Sequence, residues 1–229
     1  MNSSNRAQKD IFIFAPPSRI WQALTIPEQR NKWETKSCEI DLTVGGKVFF
    51  DYGWNVTYSG TIKDFTENEK LVLEDEEQEL TTWTIKETDG GSIVSIEYTG
   101  QWLGEIGLSQ MENMLFGTYQ FMLNLKEVEE GRQDIRHNFW KSWIGTLHHT
   151  EGKYVKIVKV IPHTPAAEKL IEGDYLLAID GTTVHHYDEA ELAITHADVK
   201  TTFELTIARN EKTINLSLET IPFGTVMSS

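Results

Sequence analysis

Apolar residues recur along this chain with two different periods, and the changes of period mark out its elements. Over residues 108–130, Leu108, Met111, Leu115, Met122 and Leu125 return at helical spacing. Ser109 followed by Glu112 has the form of a capping box and predicts the helix start. Gly131 stands where a left-handed C-terminal cap belongs. At 1.5 Å per residue such a helix spans roughly 35 Å. Met114, Phe116, Tyr119, Phe121 and Leu123 widen its apolar surface beyond one stripe, so it must lie against a broad apolar partner. Three methionines and Tyr119 make that surface adaptable, which suits a core helix and also a helix lining a ligand cavity.

Before this helix the period is mostly two. Residues 11–14 read as a short strand, stopped by Ala15-Pro16-Pro17-Ser18, which starts a helix carrying Ile20, Trp21 and Leu24. A second short helix runs from Pro27 to about Trp33. Strands follow at 38–42, 47–52, 56–65, 71–75, 80–87 and 93–100, with turns at Gly45-Gly46 and Gly90-Gly91. An antiparallel sheet of this kind buries one face, and the long helix is the element long enough to cover it. Residues 131–142 break the helix and read as a connector whose Ile135, Phe139 and Trp140 suggest that it packs. Beyond it come a strand start at 143–147, a strand at 154–161, a helix at 165–170 capped by Thr164, and a strand at 175–179. A helix at 187–197 and a hairpin at 203–209 and 213–218 through Asn210-Glu211 complete the pattern.

The order of elements before residue 131, with Ile13-Phe14-Ala15-Pro16-Pro17, Ile20-Trp21-Gln22-Ala23-Leu24-Thr25, Pro27 with Trp33, and Val44-Gly45-Gly46-Lys47-Val48, resembles the START-like (SRPBCC) superfamily over residues 8–130. Within it the chain is similar to homologues of the activator of the heat-shock protein 90 ATPase. Gly60-Thr61-Ile62 and Leu125-Lys126 fit as well. The second half, through Val160-Ile161-Pro162-His163-Thr164-Pro165-Ala166-Ala167 and the stretch from Glu172-Gly173-Asp174 to Asp180-Gly181-Thr182-Thr183-Val184, resembles a bacterial-type PDZ domain over residues 138–223. It departs from that family at Glu168-Lys169-Leu170, which is one residue shorter than the usual run. The fold expected is α+β: a START-like helix-grip, its antiparallel sheet wrapped on a long C-terminal helix, then a PDZ-like small β-barrel or sandwich with two helices. The domains expected are 1–131, a connector at 132–142, 143–223, and a tail at 224–229.

The resemblances imply two sites. A hydrophobic, lipid-like small molecule would occupy a cavity bordered by Trp21, Trp33, Phe49, Trp83, Met111, Leu115, Tyr119 and Met122. A protein C-terminal peptide would add to the second half at Lys141, Trp143, Ile144, Gly145, Thr146 and Leu147, which align with the family's carboxylate-binding loop. A glycine there lets successive backbone N–H groups converge on an anion, and the peptide would join the sheet edge as a strand.

Charge narrows the partners. The net charge is −14, with 11 basic and 22 acidic residues up to residue 130 and 10 and 13 after it. That balance argues against nucleic-acid and anionic-membrane partners. Residues 74–79 read as a solvated acidic turn. Cys38 is the single cysteine, so no internal disulfide forms. The N-terminus lacks the apolar core of a signal peptide and no stretch approaches a membrane span, which together point to a cytoplasmic protein. No Gly-x-Ser-x-Gly or His-Glu-x-x-His motif is present. His148 and His149 are adjacent, so on a strand their rings fall on opposite faces and cannot chelate together. No catalytic residue, metal or cofactor is expected. The leading reading is a non-enzymatic binding protein. The alternatives are a cyclase- or hydratase-type enzyme acting in the cavity, or a chaperone-associated adaptor.

Overall fold

The computed structural model describes residues 3–227, with Ser3 described by its backbone only. Residues 1–2 of the expected first domain and 228–229 of the expected tail lie outside the described residues. The described residues form two compact units: a first of Ser4–Gln101 with Gly117–His137, and a second in which Trp102–Phe116 joins residues 138–227. Both are mixed α and β with antiparallel sheets.

The first unit is built on β1 (Ser3–Ile13), β2 (Ser37–Ile40), β3 (Lys47–Gly53), β4 (Val56–Thr66), β5 (Lys70–Glu74), β6 (Leu80–Thr88) and β7 (Gly91–Leu103), in the spatial order β1-β7-β6-β5-β4-β3-β2. Two helices, α1 (Pro17–Thr25) and α2 (Pro27–Arg30), lie between β1 and β2. Each begins with a proline at its first position, where the missing N–H has no helical partner to lose. Alternation along β3 buries Val48 and Phe50 and turns Phe49 outward, 39% exposed. In β1 the strand starts well before the expected Ile11, because its polar residues pair along the sheet edge although they bury little.

The long helix α3 (Gly104–Glu129) begins five residues before the capping box expected at Ser109. Gly104, with φ +65°, lets the chain turn from β7 straight into the helix. Ser109 is buried inside the helix rather than capping it. The other end matches expectation. Gly131 has φ +76°, its N–H donates to the Val128 carbonyl, and the Arg132 N–H reaches back to Glu127 at 2.7 Å, the paired bonds of a Schellman stop.

From Gly117 onward α3 belongs to the first unit. Phe121 meets Tyr52 and Trp54, Thr118 bonds the Tyr98 hydroxyl at 2.8 Å, and Met122 and Leu125 are fully buried. Buried Asn124 gives its amide to the Trp33 carbonyl and to Asp134, and accepts from the Ile135 N–H at 2.7 Å. Arg136 donates to the carbonyls of Thr35 and Asn31. The residues after α3 are therefore fastened to the first unit by backbone-directed hydrogen bonds.

In the second unit β8 (Ser142–Trp143), β9 (Thr146–Glu151), β10 (Tyr154–Val160), α4 (Pro165–Lys169), β11 (Tyr175–Ile179), β12 (Thr182–Thr183), α5 (Tyr187–Thr195), β13 (Thr202–Arg209), β14 (Lys212–Glu219) and β15 (Ile221–Pro222) follow in turn. The main sheet runs β14-β13-β11-β10-β9, with β12 on β11, and β15 pairs β8 separately. It is an open path with β9 at its edge, so the expected barrel does not close among the described residues. Val155, Ile157, Leu176, Leu205 and Ile207 meet Ala190 and Ile194 of α5 in one core. Asn210 and Glu211 both take positive φ, which matches the β13–β14 turn to the right-handed twist of its strands. Thr164 precedes α4 as expected, but its hydroxyl donates to the Ile161 carbonyl instead of capping the helix. Fully buried Asp174 takes two 2.7 Å bonds from the Arg209 guanidinium and one from the Ile171 N–H, so its charge is paired and hydrogen-bonded.

Leu125→Ala is expected to destabilise the protein by ~2–5 kcal/mol, and half-buried Leu115→Ala by less, as read from urea unfolding midpoints. A fragment of residues 102–229 should melt above one of residues 138–229; equal melting temperatures would show that residues 102–116 contribute nothing to the second unit.

Candidate functional site

A strand at the end of a sheet leaves a row of N–H and C=O groups without partners; in the main sheet of the second unit β14 and β9 stand at the two ends, and β9 is the one beside a pocket. The loop leading into it is held by its carbonyls. Ile144 O accepts from the Ala166 N–H and Gly145 O from the Ile161 N–H, both at 2.9 Å. The N–H groups of Ile144 and Gly145 go to no backbone carbonyl among the described residues. Gly145 has φ +91°, and a β-carbon there would collide with the Thr164 side chain. Glycine is thus required twice, by the dihedral and by buried Thr164 behind it.

A pocket of about 180 Å³ opens in front of this loop. Trp143, Ile144, Gly145, Thr146 and Leu147 line one side, and Tyr187, Glu191 and Ile194 of α5 the other. The first half of α3 supplies Ser109, Gln110 and Asn113, and Phe223 closes the rim. Farther along β9 the helix comes closer. A Glu112 carboxylate oxygen accepts the outward N–H of Thr150 at 2.6 Å, Asn113 accepts from the Tyr187 hydroxyl at 3.2 Å, and Phe116 meets the Tyr187 ring. Alternation in the ladder turns the His148 N–H outward as well. The chain end packs on the other side: Ile221 pairs with Trp143, whose indole lies against Phe223 and donates to the Thr225 carbonyl.

Beneath the pocket, buried His148 sits under the Tyr187 ring with Nε2 3.2 Å from Glu191 Oε1. Burial, followed by repulsion from Asp188, pushes the Glu191 carboxyl up to about 8. Burial, followed by neighbouring His149, pulls the His148 ring down to about 4. Between those values Glu191 keeps its proton and His148 is neutral, so the groove floor carries polar groups without net charge.

Five of the six expected peptide-binding residues, Trp143 to Leu147, line this pocket. Lys141 does not; its ammonium pairs with Asp198 at 3.2 Å. The eight expected cavity residues do not come together as a set. Trp21, Trp33, Trp83 and Met122 are buried in the first unit, and the Trp33 and Trp83 rings pack edge to face. Tyr119 is half-buried there. Phe49 points to the opposite face of the sheet, into a shallow depression beside Glu39, Lys47 and Glu74. Met111 and Leu115 belong to the second unit. The first unit instead contains a polar pair the sequence reading missed. Arg30 is 1% exposed, bonds the Leu24 carbonyl and Glu34, and lies 4.0 Å from the Phe50 ring centroid. Burial raises the Glu34 carboxyl despite the pull of Arg30. The i, i+4 spacing of Arg30 and Glu34 was visible in the sequence, but nothing there told a solvated pair from a buried one. The helix over 187–197, expected as the other wall of a peptide groove, does supply Tyr187, Glu191 and Ile194, whereas Ser109, Gln110, Asn113 and Phe223 carried no local signal of a groove.

Comparison with known proteins divides the chain near residue 130. A family model described as activator of Hsp90 ATPase homolog 1-like protein matches residues 14–130, and a PDZ domain model matches residues 130–220. Among solved structures, protein SSP2350 from Staphylococcus saprophyticus is 15% identical with a TM-score of 0.52, covering 57% of this chain and 96% of its own. The Aha1 dimer from Colwellia psychrerythraea is 18% identical with a TM-score of 0.50, covering 55% and 96%. At these identities the likeness is one of fold. No curated protein matches the chain. No helix among the described residues is long and apolar enough to cross a membrane.

The groove floor predicts a pH dependence. Folded Glu191 holds its proton more tightly than the unfolded chain does. Its contribution to stability is therefore full below the ordinary value of 4.5 and is lost as pH rises through about 8. His148, whose folded value is depressed, contributes above its ordinary 6.5 and loses that contribution as pH falls through about 4. Between pH 6.5 and 8.5 only Glu191 acts, and the wild type should lose about 2 kcal/mol relative to Glu191→Gln. Parallel stability curves across that window would place the Glu191 carboxylate in water.

Proposed function

The chain belongs, through residues 14–130, to the family of activator of Hsp90 ATPase homolog 1-like proteins, and we propose that it is a non-enzymatic binding protein whose second unit captures the C-terminus of a partner polypeptide. The match of a PDZ domain model to residues 130–220 supports the peptide reading. The observation that carries it is the loop at Ile144 and Gly145. Its carbonyls are spent on the fold and its N–H groups are not, at the mouth of a pocket of about 180 Å³. An anion fits such a loop because several N–H dipoles converge on one point without a side chain between them.

The pocket is short. With Glu112 on the Thr150 N–H, the strand-adding part of the groove is taken at its far end, leaving room for the last two or three residues of a peptide. Lys141, held by Asp198, adds long-range attraction to a carboxylate and not a direct bond. In the first unit we read a helix-grip, with the second half of α3 held against the sheet. Within it the buried Arg30–Glu34 pair under Phe50 favours a second reading, a small molecule with a polar head and an apolar body beside Trp33, Trp83 and Met122. Native mass spectrometry of the purified protein tests that reading; a retained mass of a few hundred daltons supports it, and a bare chain opposes it.

The peptide reading is tested by fluorescence polarisation against a library of C-terminal hexapeptides, each as free acid and as amide. Free acids should bind, and amidation should weaken binding about tenfold or more, because it removes the charge to which the N–H groups donate. Truncating the hexapeptide to its last three residues should change affinity little. Equal binding of acids and amides, or no binding, would exclude a carboxylate site at Gly145.

A further inference from the structure

The period of two along β9 places His149 and Glu151 on the face opposite the groove, away from His148. Across the ladder from His149 stands Lys156, and across from Lys156 stands Tyr175. Glu105, from the first turn of α3 and part of the same unit, completes the group. One ring nitrogen of His149 and one carboxylate oxygen from each of Glu105 and Glu151 lie within 4.8 Å of one another.

The His149 ring is ordered as a ligand would be. It is 2% exposed, and Nδ1 lies 2.9 Å from the Thr150 carbonyl. A carbonyl only accepts, so Nδ1 carries the proton and Nε2 keeps its lone pair. That Nε2 is buried and has no hydrogen-bond partner among the described residues. An imidazole whose one nitrogen donates to a backbone carbonyl while the other lone pair stays free has the tautomer and orientation of a metal ligand. Glu151 is held too, by the Tyr175 hydroxyl on its second oxygen. Lys156 Nζ lies 2.5 Å from Glu105 and 3.3 Å from Glu151, so an ammonium already rests on the two carboxylates. It offers one charge and nothing to the imidazole lone pair, and a buried acceptor left without a donor carries a cost.

We propose that Glu105, His149 and Glu151 form a binding site for a divalent transition-metal ion, with Lys156 as the cation that the metal displaces. One nitrogen and two carboxylate oxygens, with water in the fourth position, are a donor set for Zn²⁺. Mg²⁺ and Ca²⁺ take oxygen ligands and gain nothing from the imidazole. Displacement is feasible because the lysine stem is flexible and its head can turn to solvent. The site lies on the far side of β9 from the carboxylate loop and does not depend on peptide binding.

The test is titration of the full chain with ZnCl₂, followed by calorimetry and by melting temperature, with MgCl₂ as the control ion. Wild type should bind one Zn²⁺ and no Mg²⁺. Lys156→Met, which removes the competing ammonium, should bind Zn²⁺ about tenfold or more tightly than wild type. Glu105→Gln, at an exposed position that leaves the fold intact, and His149→Gln should each weaken it about tenfold or more. A His185→Asn, His186→Asn double variant should bind as wild type does. Zn²⁺ affinity unchanged by Glu105→Gln and His149→Gln, or absence of binding in Lys156→Met, would overturn the assignment and leave Lys156 as the permanent partner of the two carboxylates.

Discussion

An uncovered sheet edge must find partners for its outward N–H groups, and beside the pocket of the second unit that requirement falls on β9, one of the two end strands of its sheet. The chain answers it in two ways along one strand. At Thr150 the outward N–H is met by Glu112, a side chain of the unit's own helical segment. At the loop before β9 the N–H groups of Ile144 and Gly145 are left open beside a pocket. Everything proposed for the groove follows from where that change occurs. A strand closed along its whole length would bind nothing, and one open along its whole length would accept a longer extended segment or pair with another copy.

The helix α3 explains why its apolar surface exceeds one stripe. Residues 104–116 are part of the second unit and residues 117–129 of the first, so successive turns bury different faces among different neighbours. Phe116 meets Tyr187, whereas Phe121, five residues on, meets Tyr52 and Trp54. A helix with a single partner would repeat one face throughout. Of the polar residues of its first half, Ser109 is buried and Glu112 bonds the Thr150 N–H, while Gln110 and Asn113 line the groove and remain exposed.

Much of this architecture was legible in the sequence because local rules and tertiary packing agree. The strands of both sheets, the prolines opening α1, α2 and α4, and the glycine stop after α3 follow from period and cap chemistry. The loop at Trp143 to Leu147 came instead from the resemblance to a PDZ domain; its glycine is demanded by its own dihedral and by Thr164. Where one motif had two uses, the sequence could not choose. Ser109 and Glu112 have capping-box spacing, but Gly104 starts the helix earlier and frees Glu112 for Thr150. Phe49 and Phe50 are equally apolar, and the ladder register alone decides which faces the core. Met111 and Leu115 share a helical face with Tyr119 and Met122 by spacing, yet they belong to another unit. Arg30 with Glu34, and His148 with Glu191, are buried by residues distant in sequence, which no local pattern announces.

The central claim is that the groove is open at Gly145 and closed at Thr150. Amide resonances of the isotopically labelled protein, followed during titration with a free-acid C-terminal peptide, report both ends at once. The account predicts large shifts at Ile144, Gly145 and Thr146, with the Thr150 amide unmoved and its proton still slow to exchange. Shifts that run through His148 and Thr150, with faster exchange at Thr150, would show that the peptide displaces Glu112 and that the groove is not short; no shift at Gly145 would contradict the carboxylate site itself.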